Sequence, residues 1–260
     1  MRTKKKEKSK NLNLAFYFGF FVFLIITISL VFKIIDEVKK SKFDGNNRFT
    51  VAIMYKDSSD VVSISPREGT LTRLSVEGAT SPKTLRNLSI PIDSYIKAQS
   101  QFSQSPKLIF AKMLINKKSL ETDLNVLDLL KLSIRSLEID ERRIKEEYSS
   151  MKKAEATSAL ISSLFIDETI SSEKINIQIT NATQVYGLGN KIAKYLTNMG
   201  GSVVLVSSSK EIEGESKIIY KGKSYTVRKI AQIMDLPLEK KEMNSITDVI
   251  IIIGRDREEF

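Results

Sequence analysis

Cysteine and histidine are both absent from the chain. Without cysteine there is no disulfide and no thiol to carry a lipid, so the compartment's redox state leaves no mark on the sequence. Without either residue the usual zinc sites are excluded, as are nucleophilic triads that use imidazole. Chemistry here would rest on carboxylates, Lys/Arg, Tyr and hydroxyls, and no cofactor or metal is expected. The net positive excess is concentrated in one place. Residues 1–10, "MRTKKKEKSK", carry six Lys/Arg and one Glu, half of the formal net charge of +10. The other half is spread too thinly to argue nucleic acid, and no nucleic-acid partner is expected.

Charge is missing altogether from Leu14 to Phe32, "LAFYFGFFVFLIITISLVF". A helix of that length, at about 1.5 Å per residue, spans roughly 28 Å, one hydrocarbon core. Residues 12–32 are therefore expected to be a transmembrane signal anchor behind a basic cytoplasmic tail at 1–11. "SLVFKII" offers no small-x-small cleavage site, so the anchor stays in place. The positive excess precedes the span, which predicts a cytoplasmic N-terminus and an extracytoplasmic remainder. Membrane lipid is thus the first expected partner, and the sequence sets no oligomeric state.

Residues 33–48 read as a polar linker. From Phe49 the pattern alternates with period two, in "FTVAIMY", "DVVSIS" and "TLTRLSV". The connections "KDSS" and "PREG" are turn chemistry, so an antiparallel meander is predicted. Farther on, Leu127, Leu130, Ile134 and Leu137 recur at helical spacing, predicting an amphipathic helix with that face inward and Thr122 or Asp123 as its cap. Residues 141–172 are rich in charge and read as a solvated, partly helical connection. The acids and arginines of the meander read first as a solvated strand face.

Residues 173–257 alternate strand and helix signals in the order βαββαβ. Leu188, Ile192, Leu196 and Met199 form one apolar stripe, closed by Gly200 and Gly201; Val227, Ile230, Ala231 and Met234 form another, stopped by Pro237. The expected fold class is α/β (α+β): an N-terminal transmembrane helix, a strand-rich α+β middle region at 49–140, and a two-layer C-terminal domain with both helices on one face of its sheet. The loop before the first of these helices holds Gly187 and Gly189, as a dinucleotide loop would. The third glycine of G-x-G-x-x-G is replaced by Ile192, and the second strand ends in serines where an acid would hold a ribose. The loop is better explained by Asn181 and Thr183 bonding backbone in the turn and by glycines adopting angles other residues resist.

"IQITNATQVYGLGNKIAKYLTNMGGSVVLV", "SKIIYKGKSYTVRKIAQIMDL" and "TDVIIIIGRD", taken in order, resemble the LytR C-terminal domain family. One departure is Gly189, where that family usually has Ala. The resemblance implies the fold just described and names no catalytic residues; Asn181, Gly187 and Gly189 mark its motif loop. The domain often follows a LytR-CpsA-Psr domain, a membrane-anchored transferase that joins glycopolymers from a lipid pyrophosphate carrier to peptidoglycan. Residues 49–140 are similar to a reduced form of that domain. The resemblance would place Asp60, Arg67, Glu68 and Arg73 around a metal-bound pyrophosphate. Ser58 stands where an Arg-x-Asp turn would have arginine, and Pro66-Arg67 is followed by Glu68 rather than Asp. Arginine's bidentate grip on phosphate is not replaced by serine. The leading expectation is therefore a non-catalytic module of the cell envelope that binds wall polymer (cell-wall glycopolymer) or envelope proteins. The alternatives are a divergent glycopolymer transferase and a scaffold that docks partners by a sheet edge.

Overall fold

The computed structural model describes residues 3–99, 105–151 and 160–260, with side chains from Phe16 onward. It divides into two compact units, Met1–Ser41 and Lys42–Phe260. The first is a single helix, α1 (Thr3–Lys40). Its stretch Phe16–Lys40 is long and apolar enough to cross a membrane, and none of its most apolar window is buried in protein. The helix outruns the expected anchor by eight residues, so the linker expected from residue 33 starts helical. "KIIDEVKK" contains no Gly or Pro to stop it, and Asp36 and Lys40 pair across one turn at 2.6 Å.

The rest of that expected linker is part of the second unit's core. Phe43 is buried, its ring 5.1 Å from that of Phe49, and its N–H donates to Asp128 Oδ1 at 3.0 Å. Asp44 bonds the N–H groups of Asn46 and Asn47 in a local turn.

A six-stranded sheet follows, in the order β5-β4-β1-β2-β3-β6. Strands β1 (Phe49–Met54), β2 (Ser58–Ser65) and β3 (Thr70–Glu77) are the predicted meander, with Gly69 in the left-handed region at φ 62° at the hairpin turn. Strand β4 (Ser94–Lys97) lies parallel to β1, reached through α2 (Pro82–Asn87), and β5 (Glu121–Thr122) closes the edge. Helices α3 (Ile109–Ile115) and α4 (Val126–Glu138) cover one face of the sheet with Phe110, Met113, Leu129 and Leu132. Leu85 of α2, with Ile161, Leu164 and Phe165, covers the other.

Three expectations change here. The charged connection is not a loop throughout: β6 (Ile144–Ser150) pairs parallel with β3 from Leu71↔Ile144 to Glu77↔Ser150. As an edge strand β6 stays wet on both faces: Lys145 and Glu146 point to opposite sides and both are exposed. Its stretch 152–159 lies outside the described residues. Helix α4 is capped by Asn125, not by Thr122 or Asp123, in a reciprocal box with Asp128. It buries Leu129 and Leu132, leaving Leu130, Ile134 and Leu137 exposed. The helix is apolar on two faces, and periodicity alone did not say which faces in.

The second sheet has the order β10-β9-β11-β7-β8. After α5 (Glu168–Glu173) come β7 (Asn176–Asn181), α6 (Leu188–Asn198), β8 (Ser202–Ser208), β9 (Lys217–Tyr220), α7 (Tyr225–Met234), β10 (Leu238–Lys240) and β11 (Val249–Ile253). Both predicted helix stripes are inside: Ile192, Leu196, Val227 and Ile230 share one core with Ile177, Ile179, Val249 and Ile251. Strand β10 was not foreseen; three exposed residues after Pro237 pair parallel with β9, making the order βαββαββ. Helix α7 ends before Pro237, at Asp235 in the left-handed region.

Candidate functional site

The four residues that the transferase resemblance would gather do not converge. Asp60 and Arg73 lie on β2 and β3, on the sheet face beneath α3 and α4. Arg73 Nη2 meets Asp60 Oδ2 at 2.6 Å, and both side chains are under a tenth exposed. Ser75 Oγ and Tyr55 OH also donate to the Asp60 carboxylate, at 2.6 and 3.3 Å. Glu146, on the unforeseen strand β6, adds a second acid 3.5 Å from Arg73. Burial pulls the Arg73 guanidinium down, but the Asp60 carboxylate outweighs it and holds the group above its ordinary value. This is a closed buried pair, not a solvated strand face.

Arg67 and Glu68 occupy the turn between the two strands. Asp60 is five residues from the end of β2, roughly 17 Å along a strand. There Arg67 Nη1 donates to Thr169 Oγ1 at 3.2 Å, and Glu68 accepts from Arg48 Nη2 at 3.1 Å. Among the described residues, no cluster of three or more acids is placed to hold a metal ion.

Glu68 belongs instead to a polar seam on the opposite sheet face, which runs between the two sheets. Its centre is Arg48, buried and shared: Nη1 donates to Ser63 Oγ at 3.2 Å, and Nη2 reaches Glu168 Oε1 at 2.7 Å as well as Glu68. Burial pushes both glutamates up. Their contact splits them, Glu68 above the ordinary range and Glu168, nearer the guanidinium, below it. Lys229 of α7 enters from the second sheet: Nζ pairs with Asp93 Oδ1 at 2.5 Å and donates to Arg48 O at 2.9 Å, 5.3 Å from the centre of the Phe49 ring. Tyr225 OH donates to Asp167 Oδ2 at 2.8 Å. Burial raises the Asp167 carboxyl above its ordinary value despite the nearby Lys229 charge, and raises the Tyr225 phenol too. Glu173 takes the N–H groups of Tyr225 and Thr226, at 2.9 and 2.8 Å, at the start of α7.

A cleft of about 230 Å³ opens onto this seam, with Lys42, Asp44, Arg48, Tyr225, Arg228 and Lys229 among its walls. Lys42 is committed to Asp123 at 2.6 Å. Arg48 Nε is buried without an acceptor among the described residues, and Arg228 is exposed. The arrangement can hold an acidic group; among its hydroxyls, buried Ser65 Oγ donates to Glu168 Oε2 at 3.0 Å, a carboxylate already paired with Arg48. Sequence reasoning missed every residue of the seam except Glu68 and Arg67. Asp167 carried a legible signal, an acid just before a helix start, where it bonds the N–H groups of Thr169 and Ile170. Lys229 carried none, since a lysine beside an apolar stripe reads as solvated.

The C-terminal motif loop is structural. Asn181 Oδ1 accepts from Thr183 N at 3.1 Å and Oγ1 at 2.7 Å, while Nδ2 donates to Val185 O at 2.9 Å. Gly187 takes φ 79° at the helix start, which only glycine does without strain. Gly189 does not share that role: it has helical geometry, and a Cβ there would lie 3.0 Å from Val206 Cγ1. Close packing of α6 on β8 is its reason.

Residues 174–256 match the family model described as LytR cell envelope-related transcriptional attenuator. No curated protein matches the chain. Among solved structures, a transcriptional regulator from Bacillus subtilis shares 11% identity over 45% of this chain and 96% of its own, with a TM-score of 0.35. Another, from Enterococcus faecalis, shares 13% over 39% and 75%, with a TM-score of 0.29. Overlaps this loose fix no residue correspondence. The family match begins after the strand-rich region and does not extend to residues 49–140. It associates the chain with the cell envelope, and residues 174–256 belong to the LytR C-terminal family.

Proposed function

We propose that the protein is a membrane-anchored, non-catalytic envelope module whose folded unit lies outside the cytoplasm and binds an acidic wall polymer. The apolar helix Phe16–Lys40 supplies the anchor, and the basic tail before it supplies the orientation. The observation that carries the binding reading is the cleft. Arg48 lines it and Arg228 stands exposed on its wall, so an acidic group placed there would gain a charge-assisted hydrogen bond from Arg228 beside the Arg48 charge. The transferase alternative would need Arg73 to leave Asp60 and a turn roughly 17 Å along the strand to swing back.

The test is binding of the full-length protein, in detergent, to a phosphate-bearing wall glycopolymer and to a neutral glycan of the same length. The expected result is salt-sensitive retention of the acidic polymer only, weakened several-fold by Arg228→Glu. Equal affinity for the neutral glycan, or an Arg228→Glu protein that binds as the parent does, contradicts the proposal. Selective capture of another envelope protein with no polymer binding would assign the cleft to that protein instead.

A further inference from the structure

Helix α4 carries an apolar stripe that the folded unit leaves uncovered. Val126, Leu130, Ile134 and Leu137 are spaced by four, four and three residues, which places them on one helical face. Each is between 42% and 51% exposed. Helix α3 and the turn before it repeat the pattern, with Leu108 at 42% and Ile115 at 82% exposed and Lys112 outward between them. The two stripes meet in an open groove of about 610 Å³ whose walls include Ile115, Lys117, Lys118 and Val126. Large exposed apolar patches rimmed by polar residues mark protein or membrane interaction sites. Its border is basic, and the nearby acids are already engaged: Asp123 by Lys42, Glu121 by Lys97 and Glu138 by Arg135.

We infer that this α3–α4 face seats on an anionic lipid surface, the bilayer that the chain's own helix enters. The inference rests on the anchoring half of the proposed function and not on the polymer cleft. Apolar side chains flanked by lysines are what an interfacial helix uses, the former sinking about 5–10 Å toward the acyl boundary and the latter meeting headgroup phosphates. A second copy of the chain is a poorer occupant, because a two-fold contact would set one lysine border against the other. Chain connectivity supplies the proximity. Lys42, the first residue of the folded unit, pairs with Asp123 just before α4, and Phe43 bonds Asp128 within it. The helical residues 33–40 rise about 12 Å beyond the apolar run, against a headgroup layer of roughly 5–8 Å. A face tethered that close meets the surface at high effective concentration.

The absence of cysteine makes the test clean, since an introduced thiol is the only one to label. Full-length protein carrying Ile134→Cys or, as a control far along the chain, Ile246→Cys would be labelled with a fluorophore. Each would be placed in nanodiscs with or without phosphatidylglycerol and quenched by doxyl-labelled lipid or by aqueous iodide. The expected result is several-fold stronger lipid quenching, and weaker iodide quenching, at residue 134 than at 246, in the anionic discs. Each lysine near such a surface is worth about a fivefold gain in association. Lys112→Glu, Lys117→Glu and Lys118→Glu combined should therefore lower seating by at least about a hundredfold, with unchanged thermal unfolding in detergent. Iodide access at 134 equal to that at 246 in discs that do hold the protein overturns the seating and leaves anchoring intact. Protection that follows protein copies per disc rather than lipid charge also overturns it, in favour of self-association. Protein that fails to enter discs at all overturns anchoring, and the seating with it.

Discussion

Strands β1 and β2 of the first sheet are buried on both faces, whereas β7 and β11 of the second alternate between buried and half-buried. The same residue types therefore carry different meanings in the two sheets. A charge on β2 has no water to meet, so Asp60 exists only as a partner of Arg73, and Thr50 and Ser63 bond each other at 3.0 Å. On β7, Gln178 and Thr180 sit on the wetter face, half-buried, where Gln178 Nε2 donates to Thr180 Oγ1 at 3.3 Å and neither carries a charge that needs a partner. The transferase reading asked the first sheet to offer charges to a ligand, and burial on both faces had already committed them.

The sharpest way to break this comparison is to open the buried pair. Arg73→Leu leaves Asp60 uncompensated and should cost about 3–5 kcal/mol, while the double change Asp60→Leu with Arg73→Leu should recover most of that loss. Chemical denaturation of the four proteins measures the cycle; a double variant as unstable as the sum of the singles would mean the pair is not closed. In the second sheet the contrast lies between faces. Ile251→Ala, on the covered face, should cost about 2–5 kcal/mol, and Ile250→Ser, one residue earlier and half-buried, about 1 kcal/mol or less. Similar losses at both positions would mean that the outer face is covered too.

Smaller effects separate the two glycines of the motif loop. Gly187→Ala should cost about 1–2 kcal/mol, the strain of a left-handed angle. Gly189→Ala should lie within about 1 kcal/mol of neutral, the helix gain offsetting the Val206 contact. Thermal unfolding of both variants checks the order.

The smallest effect is a pH dependence at the seam. Burial pushes Glu173 up, but the bonds from Thr226 and Tyr225 outweigh it, so its folded value lies below the ordinary 4.5. Its contribution is thus complete above pH 4.5 and lost as pH falls through the lower folded value. Asp167, raised above its ordinary 3.8, works the other way: its contribution is full below 3.8 and lost as pH rises through the raised value. Glu173→Gln should flatten the acid side of the stability profile, and Asp167→Asn the side above pH 3.8. Unfolding midpoints measured from pH 3 to 7 would read both (range chosen to bracket ordinary carboxylates).

Local pattern carried the second sheet well. The stripes Leu188–Met199 and Val227–Met234, the closing Gly200 and the run Val249–Ile253 each obey one period and have one buried side. The motif loop was legible for the same reason, since Asn181 and Thr183 act within four residues of themselves. What pattern could not give was anything decided by a distant neighbour. Phe43 looked like linker until Phe49 packed on it, and the pairing of β6 with β3 brought Glu146, still exposed, within 3.5 Å of Arg73. The seam is the extreme case, joining Arg48 to Glu168 and Lys229 to Asp93 across more than a hundred residues.

The measurement that bears most directly on the whole account is turnover. Full-length protein, incubated with magnesium and a glycan carried on polyprenyl pyrophosphate, should release no lipid phosphate and transfer no glycan. Release that depends on the protein and disappears in Asp60→Asn, with the fold intact, would show that the pair between β2 and β3 is a reaction centre and contradict the account.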